Sequence, residues 1–578
     1  MKNTIRKRGQ KFIKKFSRTS KKVGEESKEH IKENLINRFS HIEDIKLLIL
    51  EWGLLVTALI MLAMTQAFWF GDSYAENSFT RGGSYIEATL GKVNSLNPLF
   101  ATTSSEKTLS KLMFATLSEV DYSGSIGPGL AESITPDASG KVWTVKLRDN
   151  LKWSDGEPIT NKDVIFTTGL IKNPAVNSIY NSNLAKVTID ENENQELVFT
   201  LPSAYADFMT ALDFPILPEH ILSNAEPKTL IEHEFSNNPV TSGAFRFNAT
   251  QVDAISGEKI FYLISNPNYY KGSTLLESFA VHTYESKENI ISAINSGVVT
   301  GTAELTDAES SKINSGKFSK KNSSLNSGTF IFFNNSHSIV SDIAMRQAIR
   351  EGINISDIRT EAPDALGLDF PLLPSQITLS NYPQIPDYNP EKAKAKIQEL
   401  SNGETLNINI ATLDSGFLPK VSEKLKEELE NLGYVVNLTV YDENQDFINN
   451  IIAKRGYDIL VYSIELGATP DLLPYYHSSQ ANNSGLNLSN YRNALVDDLL
   501  LGARSILDDD LTVKKYETFL EYWVNDVPAI GLYQPNLTYY YNKNVRVFSD
   551  DVKITNALDR FVDIKSWSVS KETKNRTP

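Results

Sequence analysis

The residues of this 578-residue chain best suited to acid–base or metal chemistry are seven histidines: His30, His41, His220, His233, His282, His337 and His477. None sits in an HExxH spacing, and a chain without cysteine offers no Cys/His cluster for zinc. A GxSxG nucleophile elbow, a GxGxxG fingerprint and a Walker loop are likewise absent from the sequence. Carboxylates are plentiful, 71 Asp and Glu against 57 Lys and Arg, but a generic acidic pair is solvated far more often than catalytic. The sequence predicts no enzyme, no metal and no cofactor.

The elements that would position any site alternate between strand and helix. Trp143, Val145 and Leu147 alternate with Val142, Thr144 and Lys146, the period of a strand with one buried face. Asp155-Gly156 then supplies a turn, and Thr160 with Asp163 reads as a capping box for a helix beginning near Asn161. A strand is expected from about Gly83, and further strands at Thr329–Phe333, Leu406–Ala411, Val435–Tyr441 and Asp458–Tyr462. Helical periodicity marks Ser341–Gly352, Asn389–Leu400 and Leu418–Leu432. Residues 361–389, rich in Pro, Leu and Tyr, read as a long connection, a kind of loop that is often functional. The fold class is mixed α/β, and the length calls for more than one core.

Charge divides the chain. Residues 1–46 carry 14 Lys/Arg against 6 Asp/Glu, net +8, while the remainder carries 43 against 65, net −22. Between them, Trp52 to Phe70 is 19 residues without a charge, about long enough to span a hydrocarbon core. We expect one transmembrane helix within residues 47–70, with residues 1–46 cytoplasmic and the C-terminal domain extracellular or periplasmic. Ser73-Tyr74-Ala75 resembles a cleavage site, but 46 preceding residues are long for a signal peptide, which favours an uncleaved anchor. Lys2 to Lys22 holds ten basic residues and no acid; it either contacts anionic head groups or is a solvated tail that sets topology. A partner nucleic acid is not expected, because the −22 portion repels phosphates.

Several stretches, in order, resemble the extracytoplasmic solute-binding proteins of peptide-type ABC transporters, the oligopeptide- and dipeptide-binding family, family 5. They are "NSLNPLF" from Asn94, "GPGLAESITPDASGKVWTVKLR" leading into Trp153, Asp155, Gly156, Pro158, Thr160, Asp163 and Val164, "PILPEHIL" from Pro215, and "NNPVTSGAFRF" from Asn237. "SNPNYY" from Ser265, "AINSGVVTG", "DIAMRQAIREGIN", "YNPEKAKAKIQEL" and "TPDLLPYYHSSQ" from Thr469 follow. The resemblance covers about residues 83–565.

It implies a two-lobed periplasmic-binding-protein-like fold that closes on its ligand by a hinge, with a large first lobe. The implied layout is a basic tail at 1–46, the span at 47–70, a linker at 71–82, a first lobe at 83–327 rejoined by 531–566, a second lobe at 328–530, and a polar tail at 567–578. It also implies short peptides as ligand and the permease subunits of an ABC transporter as partner. The strand, turn and helix of Leu147–Phe166 are then scaffold. Asp471 matches the carboxylate that pairs with a peptide's α-amino group, although Ala468-Thr469-Pro470 replaces one acid of the family's "DPD"; Glu465 could substitute. Tyr475, Tyr476, His477, Asn487 and Tyr491 are the further ligand-facing candidates, and Arg346 is expected to make a helix-to-lobe ion pair. Two alternatives stay open: another solute, such as a nickel chelate or an oligosaccharide, or a non-transport surface interaction or signalling role on the same fold.

Overall fold

The computed structural model describes residues 52–65, 81–253, 257–306, 309, 311–313, 316–442 and 447–570. The chain divides into two compact units, one of them Phe79–Lys571 and the other its two flanks. In the flanking unit, residues 52–65 form a helix with exposed side chains, including Trp52, Leu59 and Met64. Among the described residues no helix is long and apolar enough to cross a membrane. The rest of the expected span, and the basic tail, lie outside the described residues.

Phe79–Lys571 is built on two main sheets. In the first lobe, seven strands are ordered Phe318–Ser324, Asn536–Asn542, Gly301–Thr302, Ser84–Leu90, Ser278–Tyr284, Lys259–Ser265, Phe245–Val252. Ser84–Leu90 runs parallel to both of its neighbours, and the other pairings are antiparallel. In the second lobe, six strands are ordered Leu366–Gly367, Ala529–Gln534, Ser327–Phe333, Ile459–Glu465, Asn407–Leu413, Val435–Tyr441. The predicted strand-helix-strand run is realised there: Asn407–Leu413 and Val435–Tyr441 pair in parallel, joined by the helix Leu418–Asn431. Parallel neighbours need such a crossover, and Val421, Leu425 and Leu429 bury its apolar stripe.

The sequence stretches that carry the family resemblance knit one corner of the first lobe. Val142–Leu147 is a strand of a further four-stranded sheet, with Trp143 and Val145 buried. Trp153 is fully buried, and the Asn268 side-chain amide donates to its carbonyl at 2.8 Å. The Ser154 N–H donates to the Thr241 carbonyl at 2.8 Å. Asp163 caps its own helix by accepting from the Thr160 N–H at 2.8 Å, and its other oxygen accepts from the Glu219 N–H at 2.9 Å. Gly243 has no alternative at its position, because a Cβ there would sit 2.6 Å from the Leu112 carbonyl oxygen and the Met113 carbonyl carbon. These residues are spread along the sequence because each holds another in place. None of the bonds named here reaches the space between the lobes.

The chain passes between lobes twice, at Leu325–Asn326 and at Pro535. The passages are adjacent: the Leu325 N–H donates to the Pro535 carbonyl at 3.0 Å, and the Gln534 amide donates to the Leu325 carbonyl at 2.7 Å. Two layout expectations are corrected. The return to the first lobe falls at Asn536 rather than 531, because Ala529–Gln534 is paired to Ser327–Phe333 in the second sheet. The polar tail does not begin at 567, because Trp567 is fully buried and Ser568–Val569 pairs with Val545–Arg546.

Candidate functional site

A cavity of about 530 Å³ lies between the lobes. The first lobe lines it with Leu90, Lys287, Glu304 and Leu305, and the second with Phe417, Tyr462, Glu465 and Tyr533. Glu465 ends the strand Ile459–Glu465, and Tyr533 stands in Ala529–Gln534, so central strands of the second sheet aim residues at the space. Phe417 and Tyr533 meet edge to face with ring centroids 6.4 Å apart, which gives that wall an aromatic surface.

Its electrostatics are one-sided. Among the described residues, Glu304, Glu465 and Asp364 line the cavity along with a single cation, Lys287. Lys287 is already taken, with its ammonium 3.1 Å from the Glu309 carboxylate. Burial pushes the Glu304 carboxyl above its ordinary range, opposed by a hydrogen bond donated by the Ser104 hydroxyl. A cavity of this make-up stabilises a positively charged group on its occupant.

Of the residues singled out from the sequence, Glu465 lines the cavity. The Tyr475 hydroxyl donates to the Glu465 backbone carbonyl and so fixes that strand end. Tyr476 is fully buried against Phe519, with ring centroids 5.6 Å apart. His477 accepts from the Ser479 N–H at 3.0 Å, as a cap of a short 3-10 turn. Asn487 is buried and bridges a turn: its amide donates to the Tyr491 carbonyl at 2.9 Å, and its oxygen accepts from the Tyr491 N–H at 3.1 Å. The Tyr491 hydroxyl donates to Asp526 at 2.5 Å. Asn487 and Tyr491 thus spend their recognition groups inside the second lobe, and Tyr476 packs its ring there.

Asp471 sits at a different contact between the lobes. One carboxylate oxygen accepts from the Leu473 N–H at 3.2 Å, and the other lies 3.6 Å from Arg504 Nε. The Arg504 guanidinium in turn covers the Tyr205 ring of the first lobe at 4.0 Å, and the Ala206 N–H donates to the Arg504 carbonyl at 2.8 Å. Asp207, beside them, is pushed up to about 6 by burial first and by the Asp471 charge second. The Thr469 hydroxyl and Arg504 oppose that rise, and Asp509 adds to it.

A carboxyl whose value is higher in the closed contact contributes fully below its ordinary value, and that contribution is lost as pH rises through about 6. The lobe contact is therefore expected to be tighter near pH 5 than near pH 7. Asp207→Asn should flatten that dependence, as read by spin-label distances between the lobes; a profile the same as wild type would remove Asp207 from it.

Glu304, Lys287, Phe417 and Tyr533 were not singled out from the sequence. Glu304 stands just past the recognised "AINSGVVTG" stretch and Tyr533 at the end of an apolar strand, and neither carries a local mark of facing a cavity.

Residues 125–485 match the family described as bacterial extracellular solute-binding proteins, family 5 Middle. The oligopeptide-binding protein AppA of Bacillus subtilis is 26% identical over 480 residues, which cover 79% of this chain and 87% of that protein. The structure of AppA from Bacillus subtilis in complex with a nonapeptide superposes with a TM-score of 0.70 at 23% identity, covering 86% of this chain and 100% of that one. NikZ from Campylobacter jejuni in complex with Ni(L-His) gives a TM-score of 0.70 at 21% identity, covering 84% of this chain and 99% of that one.

Proposed function

The chain belongs to the bacterial extracellular solute-binding proteins, family 5, and from that membership we propose that it is a receptor for short peptides, held at the cell surface by its N-terminal apolar segment. It binds them in the cavity between its lobes and delivers them to the permease of an ABC transporter. The observation that carries this reading is the 530 Å³ cavity walled by both lobes, since an occupant touching both walls stabilises the closed form. The excess of carboxylates in it favours a ligand with a free ammonium group, which short peptides have. Similarity to an oligopeptide-binding protein supports the same ligand class. Glu465 is the counter-charge for the amine in this reading, with Tyr475 holding its strand end. Asp471 and Arg504 act at the lobe contact. The role is binding without turnover.

The anchoring part rests on Trp52 to Phe70 and on the basic residues before it, which favour a cytoplasmic side for residues 1–46 and an outer side for the C-terminal domain.

Native mass spectrometry of the full-length protein, purified without added ligand and then denatured, tests the ligand class. Short peptides of mixed sequence are the expected release. For protein recovered empty, peptide at 100 times its dissociation constant should add about 2.7 kcal/mol of stability. Release of a metal chelate or a sugar instead, or no response to peptides from two to eight residues, overturns the peptide reading.

A further inference from the structure

The helix Ile343–Gly352 carries two buried arginines one turn apart, and their surroundings differ sharply. Arg346, 2% exposed, donates from Nε to the carbonyls of Asp526 and Val527 at 2.9 and 3.0 Å. Its Nη1 reaches the carbonyls of Val340 and Ser341, each at 2.8 Å, and Nη2 reaches Asp526 at 2.6 Å. The expected ion pair of Arg346 is in fact this cage of backbone carbonyls, to which the nearby Asp526 charge adds.

Arg350, 9% exposed, has one such bond, from Nη1 to the Val524 carbonyl. Its Nε is enclosed without a hydrogen-bond partner. A guanidinium presents five N–H donors, and the one on Nε is left unanswered. The carboxylate acting on it is Glu351, which is itself held by Lys392 at 2.8 Å. Burial pulls the Arg350 guanidinium down to about 10. The carbonyl end of the helix Asp509–Asp526 offsets part of the charge, but a buried cation without an anion is costly.

The same side chain lines a cavity of about 250 Å³ in the second lobe. That cavity shares no lining residue with the one between the lobes. Trp523, Ile353, Ile385 and Tyr388 give it apolar and aromatic walls. Arg359 also borders it, but its charge is matched: Nη2 bonds Asp369 at 2.6 Å and Nε bonds the Leu532 carbonyl at 2.6 Å. Asp369 lines the space as well, paired with Arg359, so among the described residues the unmatched charge facing it is that of Arg350.

We propose that this cavity is a second binding site, for a small organic carboxylate whose anionic end pairs with Arg350 and whose apolar body lies between Trp523, Ile385 and Tyr388. A carboxylate suits the planar fork of donors and removes the isolated charge. The volume falls just below the range of about 300–1,000 Å³ typical of drug-sized ligands, which restricts the occupant to a single ring or a short chain.

Benzoate and its neutral isostere benzamide are the probes, read on the full-length protein by ligand-observed NMR. Benzoate should bind saturably and benzamide at least about 10-fold more weakly, since only the anion offers the guanidinium a charge-assisted hydrogen bond. Arg350→Met should abolish the benzoate signal while keeping a cooperative unfolding transition. If that variant does not fold, Tyr388→Ala, at a half-exposed wall position, should weaken benzoate instead. Equal binding of the two probes, no saturable benzoate binding, or benzoate binding unaltered in the folded variant overturns the site. The peptide reading is untouched by any of these results, because the two cavities have separate walls.

Discussion

Arg560→Met is expected to destabilise the first lobe by about 3–5 kcal/mol, the cost of stranding a buried charge. Glu87 is fully buried on the strand Ser84–Leu90, and Arg560, 2% exposed, comes from the last turns of the chain. Arg560 reaches one Glu87 oxygen from Nη2 at 3.1 Å and from Nε at 3.2 Å. The Tyr539 hydroxyl donates to the other oxygen at 2.5 Å, and Tyr85 and Tyr539 share a hydroxyl contact at 2.6 Å. Burial holds the Glu87 carboxyl above its ordinary range, and Arg560 is the largest force pulling it back.

Loss of Arg560 lets that rise grow. A carboxyl raised in the folded state contributes fully below its unfolded value and loses that contribution as pH climbs through the folded value. The deficit of the variant should therefore be small near pH 4 and widen toward pH 7. Adding Glu87→Gln should recover much of it, because the stranded charge is gone. Urea unfolding followed by hydrogen exchange in each lobe gives the measurement. A deficit that neither shrinks in acid nor responds to Glu87→Gln would mean that Arg560 acts by packing on Phe561, 4.1 Å from its guanidinium.

Glu465→Gln is expected to weaken peptides with a free amino terminus by about 2 kcal/mol or more, roughly 30-fold in Kd. The ammonium of such a ligand leaves water when the lobes close, and an unpaired buried charge is expensive. In the wild type, N-acetylated peptides should show the same loss, and the variant should no longer distinguish acetylated from free. Asp471→Ala is the comparison. Its carboxylate is occupied by Arg504 at 3.6 Å, so its removal should alter lobe contact more than discrimination of the amine. Calorimetry with a matched pair of tripeptides reads both variants. Full discrimination retained in Glu465→Gln and lost in Asp471→Ala would reverse the two roles.

Local pattern carried the elements well, because strand and helix periods are properties of neighbouring residues. Val435–Tyr441 and the helix start at Asn161 coincide with the expected bounds. The scaffold motifs were equally legible, since Trp153, Asp163 and Gly243 each meet a demand that few other side chains satisfy.

The site was much less so. Tyr476, Asn487 and Tyr491 are of residue types that serve a core as well as a ligand, and only the packing of Phe519 and Asp526 against them decides. Glu304 and Glu465 line one cavity from parts of the chain 161 residues apart, which no window of sequence contains. Arg350 gave no signal either: its neighbour Arg346, with the same spacing to its helix, is fully engaged.

The adjacency of the two passages at Leu325 and Gln534, 209 residues apart in sequence, makes the second lobe an insertion within the first. Asn536–Asn542 lies between Phe318–Ser324 and Gly301–Thr302 in the seven-stranded sheet. During synthesis the first lobe emerges with that interior slot vacant and with Glu87 lacking Arg560. At about 5–20 residues per second, some 200 residues of the second lobe keep it so for roughly 10–40 s. Two open strand edges through that interval are an invitation to mispairing. A nascent chain of this architecture therefore keeps those edges open until its last forty-odd residues arrive, and C-terminal truncation to residue 535 should leave a folded second lobe beside an incomplete first.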